Sequence, residues 1–333
     1  MNTKQEIVDA MNRENDGRAP PALFSQTGTI SLMESSGASW PDANYDMDKM
    51  IRLALQPSEQ LGFATARIPF DITAEAERHG CKVAKGDAGR QPMVTGSPWM
   101  SEIIGEPPEL MPVDEFIQGG RVKLYLDTAE KLSKEHPELF LTACMVGPIE
   151  VANHMLGMEN FVMNAFMDPD TTLKWASALT PYQCEYAKAL SQCCDNIFVI
   201  CEGAEEVLPP DLSAAFFPFE AEVFHSIKDA FSVVHVCGET GTVMDTLATL
   251  GATAISVECK GDPQAIMDRL GDKIIVAGGV NPIDTLMQGT PEEVIAAAKK
   301  ADAAGYDIIM PECGVPPQTA NENLKALSSY RDY

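Results

Sequence analysis

Short apolar runs and longer amphipathic stretches alternate along the chain. The runs are rich in β-branched or aromatic residues, and each ends at Gly, Pro or a polar side chain, as a buried strand does where it meets a loop. Eight are found, at residues 22–26, 64–68, 141–145, 197–200, 232–236, 253–257, 274–277 and 307–310. Helical spacing follows the later runs, predicting helices over 240–250, 263–270 and 291–304, with Gly251, Gly271 and Gly305 as stops. The sequence Thr290-Pro291-Glu292-Glu293 sets a capping residue before proline and puts acids in the first turn, where they suit the helix dipole. Strands and helices alternating in this number predict an α/β fold, a closed (β/α)8 TIM barrel in preference to an open sheet. No low-complexity tract or Gly/Ser linker interrupts the chain, so residues 1–333 read as one barrel domain. Residues 78–120 are the exception: ten Gly and Pro residues between Gly80 and Pro112 break any regular element there. Such an insertion after the second strand predicts a lid over the carboxyl end of the barrel, where substrates bind in this architecture.

Two of the strand ends carry metal-binding residue types. His235-Val236-Cys237-Gly238 closes the fifth run, and residues two apart project to the same side of an extended chain. Pro311-Glu312-Cys313-Gly314 closes the eighth, so a barrel would bring Cys313 to the same rim. Zinc favours thiolate and imidazole donors, and three protein ligands with a fourth position open mark a catalytic site. The competing reading is a chance His-x-Cys pair with cysteines that simply pack. Glu258, ending the sixth run, is a natural fourth ligand when no substrate is bound, or else a rim carboxylate. Gly278-Gly279-Val280-Asn281 after the seventh run could offer backbone N–H groups to an anionic substrate, although a tight turn is the favoured reading there. Asp71, after Pro69-Phe70, could face the cavity. Glu202, Glu205 and Glu206 follow the fourth run as rim or loop acids. Cys184, Cys193 and Cys194 read as packing residues. His79, His136, His154 and His225 lack any partner motif and read as surface or core residues.

Composition narrows the setting. Lys and Arg number 24 against 49 Asp and Glu, a formal charge of −25. Nucleic acid and anionic membranes, which need a basic footprint, are therefore excluded as partners. The apolar runs are too short to cross a bilayer, and residues 1–11 lack the unbroken apolar stretch of a signal peptide. Nine cysteines in such a chain point to reduced thiols in the cytoplasm. The 17 methionines read mostly as core, with some available to soften a docking surface.

The residues resemble the methylcobamide:coenzyme M methyltransferases, relatives of uroporphyrinogen decarboxylase. The likeness runs through Ser25-Gln26-Thr27-Gly28, Gly37-Ala38-Ser39-Trp40-Pro41, Ile68-Pro69-Phe70, Ala74-Glu75-Ala76-Glu77 with Gly80-Cys81, Gln91-Pro92, Gly147-Pro148, Ser256-Val257-Glu258 and both metal motifs. It implies a uroporphyrinogen decarboxylase-like barrel in which His235, Cys237 and Cys313 bind Zn²⁺ and Glu258 yields its place to a substrate thiol. It further implies methyl transfer to that thiol, coenzyme M being the family's acceptor, from a methylated corrinoid (cobalamin) carried by a separate corrinoid-binding protein. No Asp-x-His-x-x-Gly cobalamin signature occurs in the chain itself. Three other functions compete. Uroporphyrinogen decarboxylation is disfavoured because residues 25–29 lack the arginines that family's decarboxylases use. The others are loading of the corrinoid from methanol, a methylamine, chloromethane or a methoxyaromatic, and a non-catalytic metal-binding or docking protein. A folate acceptor would offer nitrogen and leave zinc without its stated purpose.

Overall fold

A strand inside a parallel barrel must be apolar on both faces, because one face fills the barrel and the other meets the surrounding helices. The computed structural model describes residues 2–15, 17–202 and 207–333. Its strands are β1 (Thr65–Ile68), β2 (Lys82–Ala84), β3 (Met93–Gly96), β4 (Phe140–Val146), β5 (Asn196–Ile200), β6 (Phe231–His235), β7 (Ala254–Ser256), β8 (Ile275–Val280) and β9 (Ile308–Pro311). β1 and β4 to β9 form one parallel sheet in the order β1-β4-β5-β6-β7-β8-β9, while β2 and β3 pair separately as an antiparallel hairpin. Burial sorts the ladder residues by the two-residue period. Ile197, Val199, Val234 and Val276 pack outward among the helices. Phe140, Cys144, Phe198, Val233, Ala277 and Met310 fill the interior, joined by Ile7, Ala10 and Met11 of the helix Lys4–Met11.

Residues 22–26 were expected to be a strand, and the structure corrects this. They close the ring between β9 and β1 through only a few bonds: Ile309 N donates to the Pro20 carbonyl (3.1 Å), Ala22 N to the Ile309 carbonyl (3.0 Å) and Leu23 N to Thr65 Oγ1 (3.3 Å). Proline has no N–H to give to a ladder, so Pro20 and Pro21 hold the pairing to a single bridge. The barrel is thus closed with seven laddered strands and one bridging segment.

The helices predicted at 263–270 and 291–304 are present as Pro263–Leu270 and Pro291–Ala304. The second carries a reciprocal capping box between Thr290 and Glu293 and ends at Gly305 with φ 102°. The helix predicted at 240–250 shrinks to Met244–Leu247. Gly241 and the β-branched Thr240, Thr242 and Val243 are poor in a first turn, and the Gly241 carbonyl is held instead by Arg269. Residues 78–120 are also more ordered than predicted. They contain the β2–β3 hairpin and the helix Val113–Ile117, whose Phe116 carbonyl accepts from Arg78 Nε at 3.1 Å. Beside this insertion, the helix Met158–Met167 leaves Met158, Met163, Phe166 and Met167 exposed. Among the described residues, no helix is long and apolar enough to cross a membrane.

Gly279 shows how closely helix and sheet meet. It sits in β8 with φ 91°, and a Cβ there would stand 2.3 Å from the Ala301 side chain of Pro291–Ala304. Gly279→Ala combines backbone strain with overpacking, so unfolding free energy should fall by about 3 kcal/mol or more. Denaturant titration measures this; an unchanged midpoint would contradict the packing.

Candidate metal centre

The two-residue period that points Val233 into the barrel also points His235 and, just past the end of β6, Cys237 to the same side. Gly238 follows with φ 78°, a left-handed turn that suits glycine. Cys313 comes from the loop after β9, 76 residues away in sequence. The three meet: His235 Nε2 lies 3.1 Å from Cys237 Sγ, the two sulfurs are 3.2 Å apart, and all three donor atoms fall within 4.8 Å of one another. Bonds of about 2.0 Å from nitrogen and 2.3 Å from sulfur to one ion require donors this close.

The surroundings prepare these donors. His235 Nδ1 lies 3.1 Å from the Ser256 carbonyl, which can only accept, so that nitrogen carries the proton and Nε2 keeps its lone pair toward the sulfurs. Cys237 donates to Cys313 and so brings the Cys313 thiol down to about 4. Cys237, facing that thiolate and partly desolvated, is pushed up. Removing the second proton would leave two thiolates in contact, which a bound cation would relieve. Glu258 stands outside this trio, with Oε1 accepting from Gly238 N at 3.0 Å. It is therefore one residue from Cys237 without being part of the cluster.

The cavity over these residues has a volume of about 250 Å³. Phe70, Ile72, Phe198 and Ile200 supply apolar walls, and Gln91 and Pro92 of the insertion also line it. Asp71 faces it as well, but its carboxylate is engaged: Oδ2 accepts from Arg121 Nη1 (2.6 Å) and Tyr125 (2.6 Å), and Oδ1 from Thr73 (2.8 Å). Gly279 and Asn281 lie elsewhere. Gly279 is a ladder residue opposite Met310, and the Asn281 side chain caps the π-helix Pro282–Met287 by accepting from Ile283 N and Asp284 N.

A family model described as uroporphyrinogen decarboxylase (URO-D) matches residues 2–332. The chain belongs to the URO-D family. A protein of Methanosarcina acetivorans named methylcobamide:CoM methyltransferase MtbA is 30% identical over 97% of this chain and 96% of its own length. A protein of Methanosarcina barkeri named methylcobamide:CoM methyltransferase MtaA is 28% identical, covering 99% and 97% respectively. Among solved structures, a methyltransferase from Methanosarcina mazei superposes with a TM-score of 0.91 at 28% identity, over 100% of this chain and 99% of that one. The resemblance read from the sequence therefore holds along the whole URO-D barrel.

Several residues that shape this URO-D site carried no sequence motif. Arg67 lies on the inward face of β1 and lines the cavity. Glu150 and the half-buried His154 pair at 3.2 Å. Burial alone would lower the imidazole and raise the carboxyl, but the pairing overrides it, so His154 is raised and Glu150 lowered. Of the acids after β5, Glu202 is buried, and Glu205 and Glu206 lie outside the described residues. His79 packs between Phe116 and Tyr182. Cys184 lies within the helix Pro169–Ser191, and Cys193 and Cys194 follow its end.

Two further buried acids stand close to the ends of β4 and β5. Glu75 accepts from Val146 N (3.1 Å), and Glu220 accepts from Ile149 N (3.3 Å) and from the Cys201 thiol (3.2 Å). Burial raises Glu75 to about 7 and Glu220 to about 8, from an ordinary 4.5. In that window the folded chain keeps protons that the unfolded chain has released, so these groups make stability fall as pH rises toward 8. Glu220→Gln removes one such proton. From about pH 5 to 8 its unfolding free energy should gain on the wild type by on the order of 1 kcal/mol per pH unit. Urea unfolding at several pH values reads the slope, and parallel curves would mean that Glu220 stays ionised when buried.

Proposed function

We propose that this chain, residues 1–333 acting as one barrel unit in the cytoplasm, moves a methyl group from a methylated corrinoid on a partner protein to a small thiol such as coenzyme M. The observation that carries this reading is the convergence of His235 Nε2 and the Cys237 and Cys313 sulfurs within 4.8 Å at the mouth of a small, apolar-walled cavity. The chain's relatives named methylcobamide:CoM methyltransferases support it.

The donor set fits zinc, with His235, Cys237 and Cys313 as ligands and Glu258 beside them ready to fill the remaining position. Bound there, zinc would lower the pKa of a substrate thiol from about 8.5, so that it is a thiolate at neutral pH. The protein residues have separate tasks. Ser256 fixes the tautomer of His235 by accepting its Nδ1 proton. Phe70, Ile72, Phe198 and Ile200 exclude water from the reacting sulfur. The thiolate sulfur then attacks the corrinoid's methyl carbon: a C–S bond forms, the Co–C bond breaks, and its electron pair stays on cobalt as Co(I). The corrinoid supplies the leaving group, and this chain supplies orientation and nucleophile activation. The cavity of about 250 Å³ is below the roughly 300–1,000 Å³ of sites for drug-sized ligands, which favours a small thiol over a folate.

Anaerobic incubation with methylcobalamin and candidate thiols, followed by the spectral change to Co(I) and by zinc analysis, tests the reading. Cys237→Ala and Cys313→Ala should each lose the metal and about 1,000-fold or more of the rate, with an unchanged circular dichroism spectrum. Full activity in either variant would remove the mechanism.

A further inference from the structure

Glu312 is a buried carboxylate one residue before Cys313, and the activity proposed above gives it no task. Its side chain is wholly shielded from solvent. Just past the end of β9, its backbone N–H donates to the Val280 carbonyl of β8 at 3.0 Å. The side chain turns to the neighbouring rim loop, where Oε1 accepts from Cys259 N at 3.3 Å, while Oε2 has no hydrogen-bond partner. An acid buried this deeply is costly, and the only bond it makes in return is to that loop.

The loop is the one that carries Glu258. Cys259 follows Glu258 directly, so the bond from Cys259 N ties the chain bearing Glu258 to the chain bearing Cys313. Beyond it, Lys260 has φ 47°, a conformation costly for a lysine that persists only where the surroundings enforce it. Lys260 pairs with Glu239 and Lys300 donates to the Gly261 carbonyl at 2.5 Å, both on the exposed side of the loop. Glu312 supplies the restraint on the buried side. Held in this way, Glu258 accepts from Gly238 N at 3.0 Å and stays outside the trio of His235, Cys237 and Cys313. Trading Gly238 N for a place beside the sulfurs requires the loop to shift, and the bond to Glu312 opposes the shift.

We propose that Glu312 is a positioning residue: by holding Cys259 N it keeps Glu258 on Gly238 and leaves the fourth place on the ion to a substrate thiol. Two acids then divide the work. Glu258 competes with the thiol for the ion, and Glu312 sets how strongly it competes. The assignment deepens the methyl-transfer reading and rests on it for the thiol, but binding measurements test it without turnover.

Cobalt(II) serves as the probe in place of zinc, because its visible bands change when a ligand joins or leaves the ion. The Co(II)-loaded protein is titrated with 2-mercaptoethanol while the sulfur-to-cobalt band is followed. In Glu312→Ala, Glu258 is freed to bind the ion, so half-saturation should need about ten times more thiol. Glu312→Gln keeps an accepting oxygen and should stay within about twofold of the wild type. Adding Glu258→Ala to Glu312→Ala should return half-saturation to the wild-type value or below it. A merely structural role would weaken metal binding, and a second truncation would not repair it. Turnover with methylcobalamin gives the second readout: in Glu312→Ala, KM for the thiol should rise with kcat nearly unchanged. Glu312→Asp draws the oxygen back from Cys259 and should show the same loss and the same rescue, which keeps the test decisive if Glu312→Ala fails to fold. An unchanged half-saturation in these shortened variants, or a loss that Glu258→Ala does not reverse, would overturn the assignment. Failure of the methyl-transfer reading looks different: no thiol would take methyl from methylcobalamin, while the Co(II) titration would still decide whether Glu312 governs thiol access. A wild type that binds no cobalt would remove the metal site and this assignment together.

Discussion

Closure of the parallel sheet is the constraint on which the site depends. His235 and Cys237 are near neighbours in sequence, but Cys313 is 76 residues from Cys237 and reaches it only because β6 and β9 end at the same rim of one ring. The ring is completed by the segment around Pro21 through two backbone bonds to Ile309 and one bond to Thr65 Oγ1, with the Phe24 and Phe140 rings tilted against each other at 5.5 Å just inside. His235 ends β6, and Cys237 and Cys313 come from chain just beyond β6 and β9, so the ladder behind the donors limits how far they can drift apart. A donor cluster built this way gains its geometry from the barrel and not from a local loop.

Burial of charge is the second theme, and the barrel handles it in more than one way. Asp71 is matched by Arg121, whose second contact is Glu77 at 2.6 Å. Burial raises Glu75 and Glu220, which are hydrogen-bonded to the backbone amide of the last residue of β4 and to one inside the next helix. Glu150 and His154 form a pair. Glu220 also dictates its surroundings: a Cβ on Gly147 would fall 2.0 Å from its carboxylate oxygen, so the turn after β4 has room only for glycine. Against these compensated groups, the buried Arg67 has no ion pair among the described residues and donates to the Pro69 carbonyl beside the Cys144 thiol.

The sequence was most informative where local chemistry and tertiary structure agree. Pro291–Ala304 was readable in full because Thr290, Pro291, Glu293 and Gly305 each mark an end by their own conformational preference. His235 and Cys237 were readable because strand alternation is local. Contact with Cys313 could be anticipated only through the barrel, since nothing in the sequence near residue 313 refers to residue 235. Residues 22–26 look like a strand in composition, but two prolines just upstream decide the pairing. The hairpin of Lys82–Ala84 with Met93–Gly96 was hidden because it is short and exposed, so no apolar alternation marks it. Gly279 and Asn281 looked like ligand-facing residues because glycines after a strand serve both turns and anion sites. Here close helix packing and an Asn cap account for them. Arg67 had a signal that passed unread: a charged residue on the inward phase of an otherwise apolar strand.

The cavity over the metal-binding trio joins two kinds of lining. Phe70, Ile72, Phe198 and Ile200 give it apolar walls, and His235, Cys237 and Cys313 give it soft donors. Walls that keep water out strengthen every charge interaction made at those donors, so the packing that closes the barrel also sets how strongly the trio can act.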